Sequence, residues 1–549
     1  MSKHKVFWTL TTGILLTTGA FAQMSSFPKP SYFREAFKKG DTKVELQPPV
    51  RLNEFVKNGQ LELSLREYLA LVMANNTTIQ VQFLSIERAR NAITGAYGRW
   101  DPTGSASFTP SLAISDAKPN TPVTDSSYSP THSRSWPVSF GFNELLQTGQ
   151  SISAGGNGRK DARDGSYNSF STGLNVSVTQ PLLQNRGAYV NRIPLMIAQS
   201  SYKNAGFNLT STLLSLINSA ENTYWNAISA RETVLVSEKA REAAKSNWDF
   251  IQQQFSLGAI SYLDTYNPQQ QLASQDLSLA QARFNLASAE DQIRQQIAAD
   301  LDPDIRKLPV HLTESVELPA DEAIVPDREQ EVLKALDLQP SLKSAVQNLD
   351  IDDLSLASAR NGLLPQLNLR LGYSGAGAGT YYTGGFGSGY AGAPIPGGLG
   401  DALGQMFGFG NPTYSASLTL NLPIRSRTAS MTMANALIQK RNDTLNVRNT
   451  QQSIRLSILN AVTNLQSAEE SLKLSLIQDD FSNKNLDAML TKYSLGTETQ
   501  QNVVFAQRDL ATADLQVVNA RINLQKAVLS LYLQTGELLD KRGVVVKLP

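Results

Sequence analysis

FSLG at Phe255–Gly258 returns as YSLG at Tyr493–Gly496, 238 residues further along the chain. At the same offset, ARFNL at Ala282–Leu286 returns as ARINL at Ala520–Leu524. A match that keeps its register over this distance indicates that the chain contains two copies of one structural unit. Because no catalytic motif accompanies the copies, the repeat predicts an architectural protein rather than an enzyme.

The composition excludes several classes of function. The chain has 549 residues, a formal net charge of +1 and no cysteine. It therefore lacks the basic balance of a nucleic-acid-binding protein, and it cannot form disulfides or use thiolates. The three histidines, His4, His132 and His311, are too scattered to suggest a metal cluster. With no GxSxG motif and no phosphate-binding loop, we expect no catalytic residues, no cofactor, no metal and no nucleic-acid partner.

The N-terminus has the pattern of a secretory signal peptide. A basic start at Lys3–Lys5 precedes a mostly apolar stretch, Val6–Leu16, and Ala20-Phe21-Ala22 supplies the small residues of a cleavage site. We expect cleavage after residue 22. No later segment is an uncharged apolar run of membrane-spanning length, so we expect no transmembrane helix in the mature protein.

Each half contains alternating sequence typical of β-strands. In the second half the alternation runs on both sides of a Gly-rich segment, 374–412, which we interpret as a long loop between two strands. Pro102 and Pro181 are 79 residues apart, whereas Pro365 and Pro423 are 58 apart. The 21 extra residues of the first half predict one additional hairpin, which either joins the same sheet or folds over it.

Long helices follow the strands. Residues 191–256 and 431–494 are rich in Ala, Leu, Ser, Gln and Asn, and a helix of that length would reach on the order of 100 Å. Gly258 and Gly496 are predicted to reverse the chain into a second helix in each copy. A seven-residue repeat, such as Leu272, Leu279 and Leu286, indicates coiled-coil packing of these hairpins.

Several local motifs resemble those of the outer membrane efflux protein family, the TolC-like channels. LREYLA at Leu65–Ala70 resembles the first helix of the family. QPLL at Gln180–Leu183 and NLPI at Asn421–Ile424 resemble its strand-to-helix junctions, and YSLGT at Tyr493–Thr497 resembles a periplasmic hairpin tip. The resemblance covers nearly the whole mature chain, from about Leu61 to Gly536.

The resemblance implies an α+β membrane protein of the Gram-negative outer membrane. Its fold would be a trimeric outer-membrane β-barrel continuous with a long periplasmic α-helical coiled-coil tunnel, internally duplicated. The implied partners are two further copies in a homotrimer, outer-membrane lipid, a periplasmic adaptor protein and an inner-membrane transporter. The implied function is a passive exit duct for efflux or type I secretion. A periplasmic coiled-coil adaptor or structural protein without a barrel is the alternative, and the substrate stays open.

Two groups of candidate functional residues follow from the same resemblance. The adaptor-docking tips would comprise Phe255, Leu257, Gly258, Tyr493, Leu495 and Gly496. A periplasmic gate would lie just beyond the tips, at Asp264, Glu498, Asn502 and Phe505. Since Asn502 and Phe505 stand where many family members carry acidic residues, a gate ringed by carboxylates is not expected. We also expect Pro268, whose repeat mate is Ala506, to kink its helix.

The predicted organisation has ten segments. They are a signal peptide (1–22), an irregular segment (23–60), the first helix of the first repeat (61–101), its barrel strands and extracellular loops (102–181), the first periplasmic hairpin (182–301), a linker (302–341), the first helix of the second repeat (342–364), its barrel strands and Gly-rich loop (365–423), the second periplasmic hairpin (424–536) and a C-terminal tail (537–549).

Overall fold

A computed structural model describes residues 52–57, 59–115, 131–164, 168–315, 326–380 and 397–544. The signal peptide, and the segment up to residue 51, lie outside these ranges. The strands are β1 (Val56–Lys57), β2 (Gln60–Leu63), β3 (Thr103–Phe108), β4 (Ser111–Ser115), β5 (Thr131–Leu145), β6 (Ser151–Arg163), β7 (Ser169–Pro181), β8 (Val310–Leu312), β9 (Gln366–Thr380) and β10 (Pro412–Asn421).

The helices account for most of the described chain. They are α1 (Leu65–Asn75), α2 (Thr77–Tyr97), α3 (Ala188–Ser256), α4 (Tyr266–Gln296), α5 (Arg328–Leu338), α6 (Pro340–Gly362), α7 (Leu399–Phe407), α8 (Arg427–Ser494), α9 (Gln500–Thr535) and α10 (Leu538–Lys541). Within the described ranges, no helix combines enough length with enough hydropathy to cross a membrane.

The larger sheet is antiparallel and contains strands from both halves. Its order is β10-β9-β7-β6-β5-β3, and β4 continues the line of β3 because both pair with β5. The additional hairpin predicted for the first half is β5–β6, and it joins the same sheet between β3 and β7. The described part of the chain therefore supplies six adjacent strand positions, four from the first half and two from the second.

The Gly-rich segment is not simply a loop, as the sequence had suggested. Strand β9 continues through the first glycines to Thr380, and α7 packs against it. A Cβ on Gly377 would overlap the carbonyl oxygen of Ala402, and one on Gly379 would overlap that of Gly398. These glycines therefore create the flat surface on which α7 lies. Residues 381–396 of the segment fall outside the described ranges.

The first helix begins later than predicted, because residues from Gln60 to Leu63 form β2. This strand pairs with β1 and, in parallel, with β8. Ser64 caps α1 through a reciprocal pair of hydrogen bonds with Glu67, whose side chain accepts from the Ser64 amide at 2.9 Å. The segments predicted as irregular (23–60) and as a linker (302–341) thus contribute strands and the helix α5.

The two helical hairpins are present as predicted, with α3 and α8 reaching 69 and 68 residues. Each long helix contacts the following one closely, as α3 against α4 and α8 against α9. The predicted kink at Pro268 is wrong. A 3-10 turn at Tyr262–Thr265 comes first, and α4 begins only at Tyr266. Pro268 consequently lies in the first helical turn, where no backbone N–H partner is lost.

The described part of the predicted C-terminal tail, residues 537–544, packs against the main core. Leu538 and Leu539 are buried in the main core, beside residues of α3. Arg542 forms an ion pair with Glu221, whose side chain is fully buried in the middle of α3, with its Nε donating to Oε2 at 2.9 Å. Burial of a charge requires such a partner, so this pair fixes α10 and the residue after it to the first hairpin.

Candidate functional site

The two hairpin tips have the same backbone geometry. Gly258 and Gly496 have φ values of +69° and +76°. The amide of each glycine donates to a carbonyl three residues earlier, and the next amide donates to one five residues earlier, at 2.9 to 3.0 Å. This is the Schellman motif, which ends helices with a residue in the left-handed region. The glycines are therefore needed for the turn itself.

The side chains at the tips divide into exposed leucines and packed aromatic residues. Leu257 is 83% exposed and its repeat mate Leu495 is 72% exposed. Phe255 packs against Tyr262 with ring centroids 5.8 Å apart. Tyr493 instead packs against Phe250 of the other hairpin, at 6.3 Å. The leucines are thus among the apolar groups available to a partner, together with Leu263, which is 70% exposed, while the ring contacts hold the tips in place.

Asp264, one of the proposed gate residues, has a local structural role. Its carboxylate accepts a hydrogen bond from the backbone amide of Ser261 at 3.1 Å, closing a capping box at the start of the 3-10 turn. An acidic side chain in this position satisfies an otherwise unpaired amide.

Glu498 and Asn502 lie together on the second hairpin. Glu498 accepts hydrogen bonds from the Asn502 side-chain amide and from the backbone amide of Thr499. The Asn502 hydrogen bond, followed by that from Thr499, lowers the pKa of Glu498 below its usual range. The carboxylate therefore stays ionised and locally bonded across the physiological pH range.

The remaining gate candidate, Phe505, is partly exposed and has the Arg508 guanidinium 5.4 Å from its ring centre. The hairpins are joined near this level by two contacts that the sequence did not predict. Gln500 donates to Asn247 at 3.2 Å, in addition to the Phe250–Tyr493 ring contact. No sequence pattern marked Asn247, Phe250 or Gln500, because contacts between the two copies depend on how the hairpins are placed side by side.

A second candidate functional surface is the polar face of the large sheet. Ser153 and Ser177 exchange a hydrogen bond at 2.7 Å, and Arg370 donates to Ser177 at 3.2 Å. The strand register places small and polar residues in line across this face, as in the row Thr103, Asn143, Ser153, Ser177, Gly372 and Ser415. The alternation of the strands could have revealed this face, but not its continuity across both halves.

The opposite face of the sheet is apolar, and it is open except where α7 covers it near Thr172 and Gly377. Phe140 is 58% exposed and Tyr414 is 79% exposed. The same face carries many other exposed apolar side chains, among them Phe108, Val138, Phe142, Val176, Leu371, Leu418 and Leu420. A soluble protein rarely exposes so large an apolar surface, so this face requires an apolar environment or a partner.

Helix α7 protects part of the sheet edge. Strand β10 begins opposite Gly375, so the backbone of Ala378 lies beyond its reach. The side chain of Gln405 takes the place of a strand there. Its Nε2 donates to the Ala378 carbonyl at 3.0 Å, and its Oε1 accepts from the Ala378 amide at 3.2 Å. An amide side chain thereby completes the hydrogen bonding of a backbone position.

Comparison with known proteins agrees with this architecture. The model of the outer membrane efflux protein family matches residues 145–299 and 332–537. The outer membrane protein TolC of Escherichia coli is 23% identical over 385 residues, which cover 67% of this chain and 69% of TolC.

Solved structures show the same fold. A CusC structure superposes with a TM-score of 0.61 at 15% identity, covering 90% of this chain and 98% of CusC. The open state of the MtrE outer membrane channel of Neisseria gonorrhoeae gives 0.58 at 15% identity, with the same coverages. The chain therefore belongs to the outer membrane efflux protein family and is an efflux channel of the Gram-negative outer membrane with a large periplasmic tunnel.

Proposed function

We propose that this chain forms the outer-membrane exit duct of a tripartite efflux or type I secretion system. Three copies would pool their sheets into one β-barrel, and their hairpins would form the tunnel below it. Substrate would pass through passively, driven by an inner-membrane transporter to which a periplasmic adaptor connects the tips.

The observation that carries the proposal is the large sheet, with one polar face, one exposed apolar face and two edges that pair with no other described strand. In lipid, unpaired backbone groups at a sheet edge cost several kcal/mol each, so a spanning sheet must close on itself. A polar lumen and an apolar exterior are the arrangement of a transmembrane barrel. A periplasmic adaptor without a barrel would leave the apolar face without a role.

The height of the apolar face matches the thickness of the apolar layer of a membrane. Lys160 lies over the rings of Trp136 and Phe170, at 5.2 and 5.8 Å, and these residues share a row with Gly379. Aromatic residues with a lysine are typical of a membrane interface. From Leu367 to Gly379 the strand advances twelve residues, or about 30 Å along the membrane normal at a tilt near 40°. That matches an apolar band of about 25 Å with its interfaces.

Cell fractionation with gel analysis tests the proposal. We expect the protein in the outer-membrane fraction, migrating as a trimer in unheated SDS samples and as a monomer after boiling. A monomer in the soluble periplasm would overturn the proposal and favour the adaptor alternative.

Site-specific photocrosslinking tests the docking role of the tips. A photoreactive amino acid at Leu257 or Leu495 should capture the adaptor in cells, because both side chains are largely exposed. Leu277, which is also exposed but lies well along α4, is the matched control. Equal capture from Leu277 and from the tips would contradict docking at the tips.

A further inference from the structure

The two edges of the sheet are suited to pairing with each other in neighbouring copies. This inference depends on the trimer proposed above. The residues of β3, β4 and β10 are all exposed, as expected for strands that have a neighbour on only one side among the described residues. Six strand positions is an even number, so β10 and β3 run in opposite directions. Identical copies can therefore join head to tail by antiparallel pairing.

The stagger within the sheet indicates the register of this pairing. The row that starts at Thr103 crosses the sheet and reaches Ser415 in β10. Each strand has one end next to the helices, and we count the residues between that end and the row. The count increases across the sheet: it is 0 for β3, 2 for β5, 2 for β6, 4 for β7, 6 for β9 and 6 for β10. If these ends share one level at the membrane surface, the Thr103 of the next copy lies opposite Asn421, six residues beyond Ser415.

The geometry of barrels supports this register. A stagger of six residues amounts to about 20 Å along the strand, and six strand spacings amount to about 29 Å across it. Their ratio gives a strand tilt of about 35°, within the range of roughly 35–45° found in closed barrels. Pairing Thr103 with Ser415 instead would give no tilt, and an untilted sheet does not close into a barrel of this kind.

We propose that β10 of each copy pairs with β3 of the next, Asn421 opposite Thr103, so that three copies close one barrel of eighteen strand positions. The hairpin β5–β6 is part of the barrel wall and widens it. With a strand spacing of about 4.8 Å and this tilt, the backbone diameter is about 34 Å. Without the hairpin, four positions per copy would close a barrel of twelve, about 23 Å across at a similar tilt.

Disulfide crosslinking tests the pairing directly, because the chain has no cysteine of its own. In outer membranes, the double variant Thr103→Cys/Asn421→Cys should form dimers and trimers on oxidation that reducing agent reverses. The adjacent pair Gly104→Cys/Leu420→Cys, on the opposite face, should do the same. Thr103→Cys/Ser415→Cys is the matched control and should stay uncrosslinked. Two outcomes would overturn the proposed pairing but leave the trimeric duct intact. In the first, only the control variant forms crosslinks. In the second, none of the three double variants forms crosslinks, although unheated gels still show a trimer.

A second set of variants tests whether the hairpin belongs to the barrel wall. The hydroxyl oxygens of Ser107 and Ser139 lie 2.7 Å apart, so Ser107→Cys/Ser139→Cys should form a disulfide within one chain, identified by peptide mass spectrometry. In a twelve-position barrel, β3 would instead lie beside β7. Disulfides from Ser107→Cys to cysteines placed singly on β7, at Ser171, Asn175, Ser177 or Thr179, would therefore overturn the eighteen-position barrel. If the unaltered protein is neither a trimer nor located in the outer membrane, the proposed function on which this inference depends would be contradicted instead.

Discussion

Backbone conformation alone explains why glycine occupies both hairpin tips. A Cβ on Gly258 or Gly496 would meet no atom within 4 Å, yet both residues have φ values near +70°. An L-residue with a side chain is disfavoured there by the contact of its own Cβ with the backbone. The space around the tips remains available to a partner, so turn formation and docking are compatible roles.

Substitution of the tip glycines should lower stability locally. Gly258→Ala or Gly496→Ala should cost roughly 1–2 kcal/mol and expose the tip to limited proteolysis. Gly95→Ala is the matched control, because Gly95 lies inside α2 with equally open surroundings. There alanine should stabilise by about 0.5–1 kcal/mol. If thermal unfolding shows the same loss of stability for all three variants, the left-handed conformation of Gly258 and Gly496 is not the cause of that loss.

Gln405 should contribute to the stability of the folded sheet through its two hydrogen bonds to Ala378. Gln405→Leu keeps the approximate size of the side chain but leaves the amide and carbonyl of Ala378 without this partner. Both hydrogen bonds lie at an exposed position, so the expected loss is about 0.5–1.5 kcal/mol for each of them, seen as a lower temperature of heat-induced mobility shift on gels. The control Gln252→Leu, at an exposed position of α3, should leave that temperature unchanged; an unchanged value for Gln405→Leu as well would refute the role.

At the scale of elements, the two hairpins differ at one matched pair of positions. In the first hairpin, Arg241 of α3 and Asp276 of α4 form an ion pair at 2.7 Å. The repeat places Asp479 and Asp514 at the same positions of the second hairpin. Desolvation, together with a hydrogen bond between the two carboxyl groups, raises the pKa of Asp514 to about 6. An attractive pair in one copy is therefore a repulsive pair in the other above that pH.

This difference predicts an inverted pH dependence. Because the folded pKa of Asp514 exceeds the unfolded value of about 3.9, the folded state binds more protons between these values, so stability falls as pH rises from about 4 to 6. Asp514→Asn should raise the thermal midpoint at pH 7.5 and change it little at pH 4. The repeat mate Asp276→Asn, which loses an exposed ion pair, should lower the midpoint slightly at pH 7.5. The same sign for both variants at pH 7.5 would contradict the assignment.

The attachment of the C-terminal helix to α3 should depend on the Glu221–Arg542 pair. Glu221→Leu leaves the Arg542 charge without this carboxylate and should cost roughly 3–5 kcal/mol. Glu221→Leu combined with Arg542→Leu removes both charges and should cost less than the single Glu221 variant. Additive losses in denaturant unfolding would show that the two side chains do not act as a pair.

The sequence predicted the elements well where periodicity decides them and poorly where tertiary contacts do. Helix length and the reversing glycines follow from local chemistry, so both long hairpins could be predicted. Pro268 was misjudged because a helix start two residues earlier removes its effect, and the sequence did not show that start. The helix α7 was missed because its glycine-rich partner strand has the composition of a loop.

At the scale of the whole molecule, the duplication accounts for the helices more completely than for the sheet. Each copy supplies two strand positions, but the first half adds the β5–β6 hairpin, which widens the shared sheet. The 21-residue difference predicted this hairpin, whereas its place between β3 and β7 depends on long-range pairing that no local pattern records. The roles of the tip and gate residues remain predictions, since Asp264 and Glu498 both have local hydrogen bonds that explain them structurally.

Electron cryomicroscopy of the full-length protein, purified from outer membranes into lipid nanodiscs, tests the central claim most directly. The account predicts a three-fold symmetric particle in which one barrel, shared by three chains, opens into one helical tunnel. A monomeric particle, or one in which each chain closes a separate barrel without a common lumen, would contradict it.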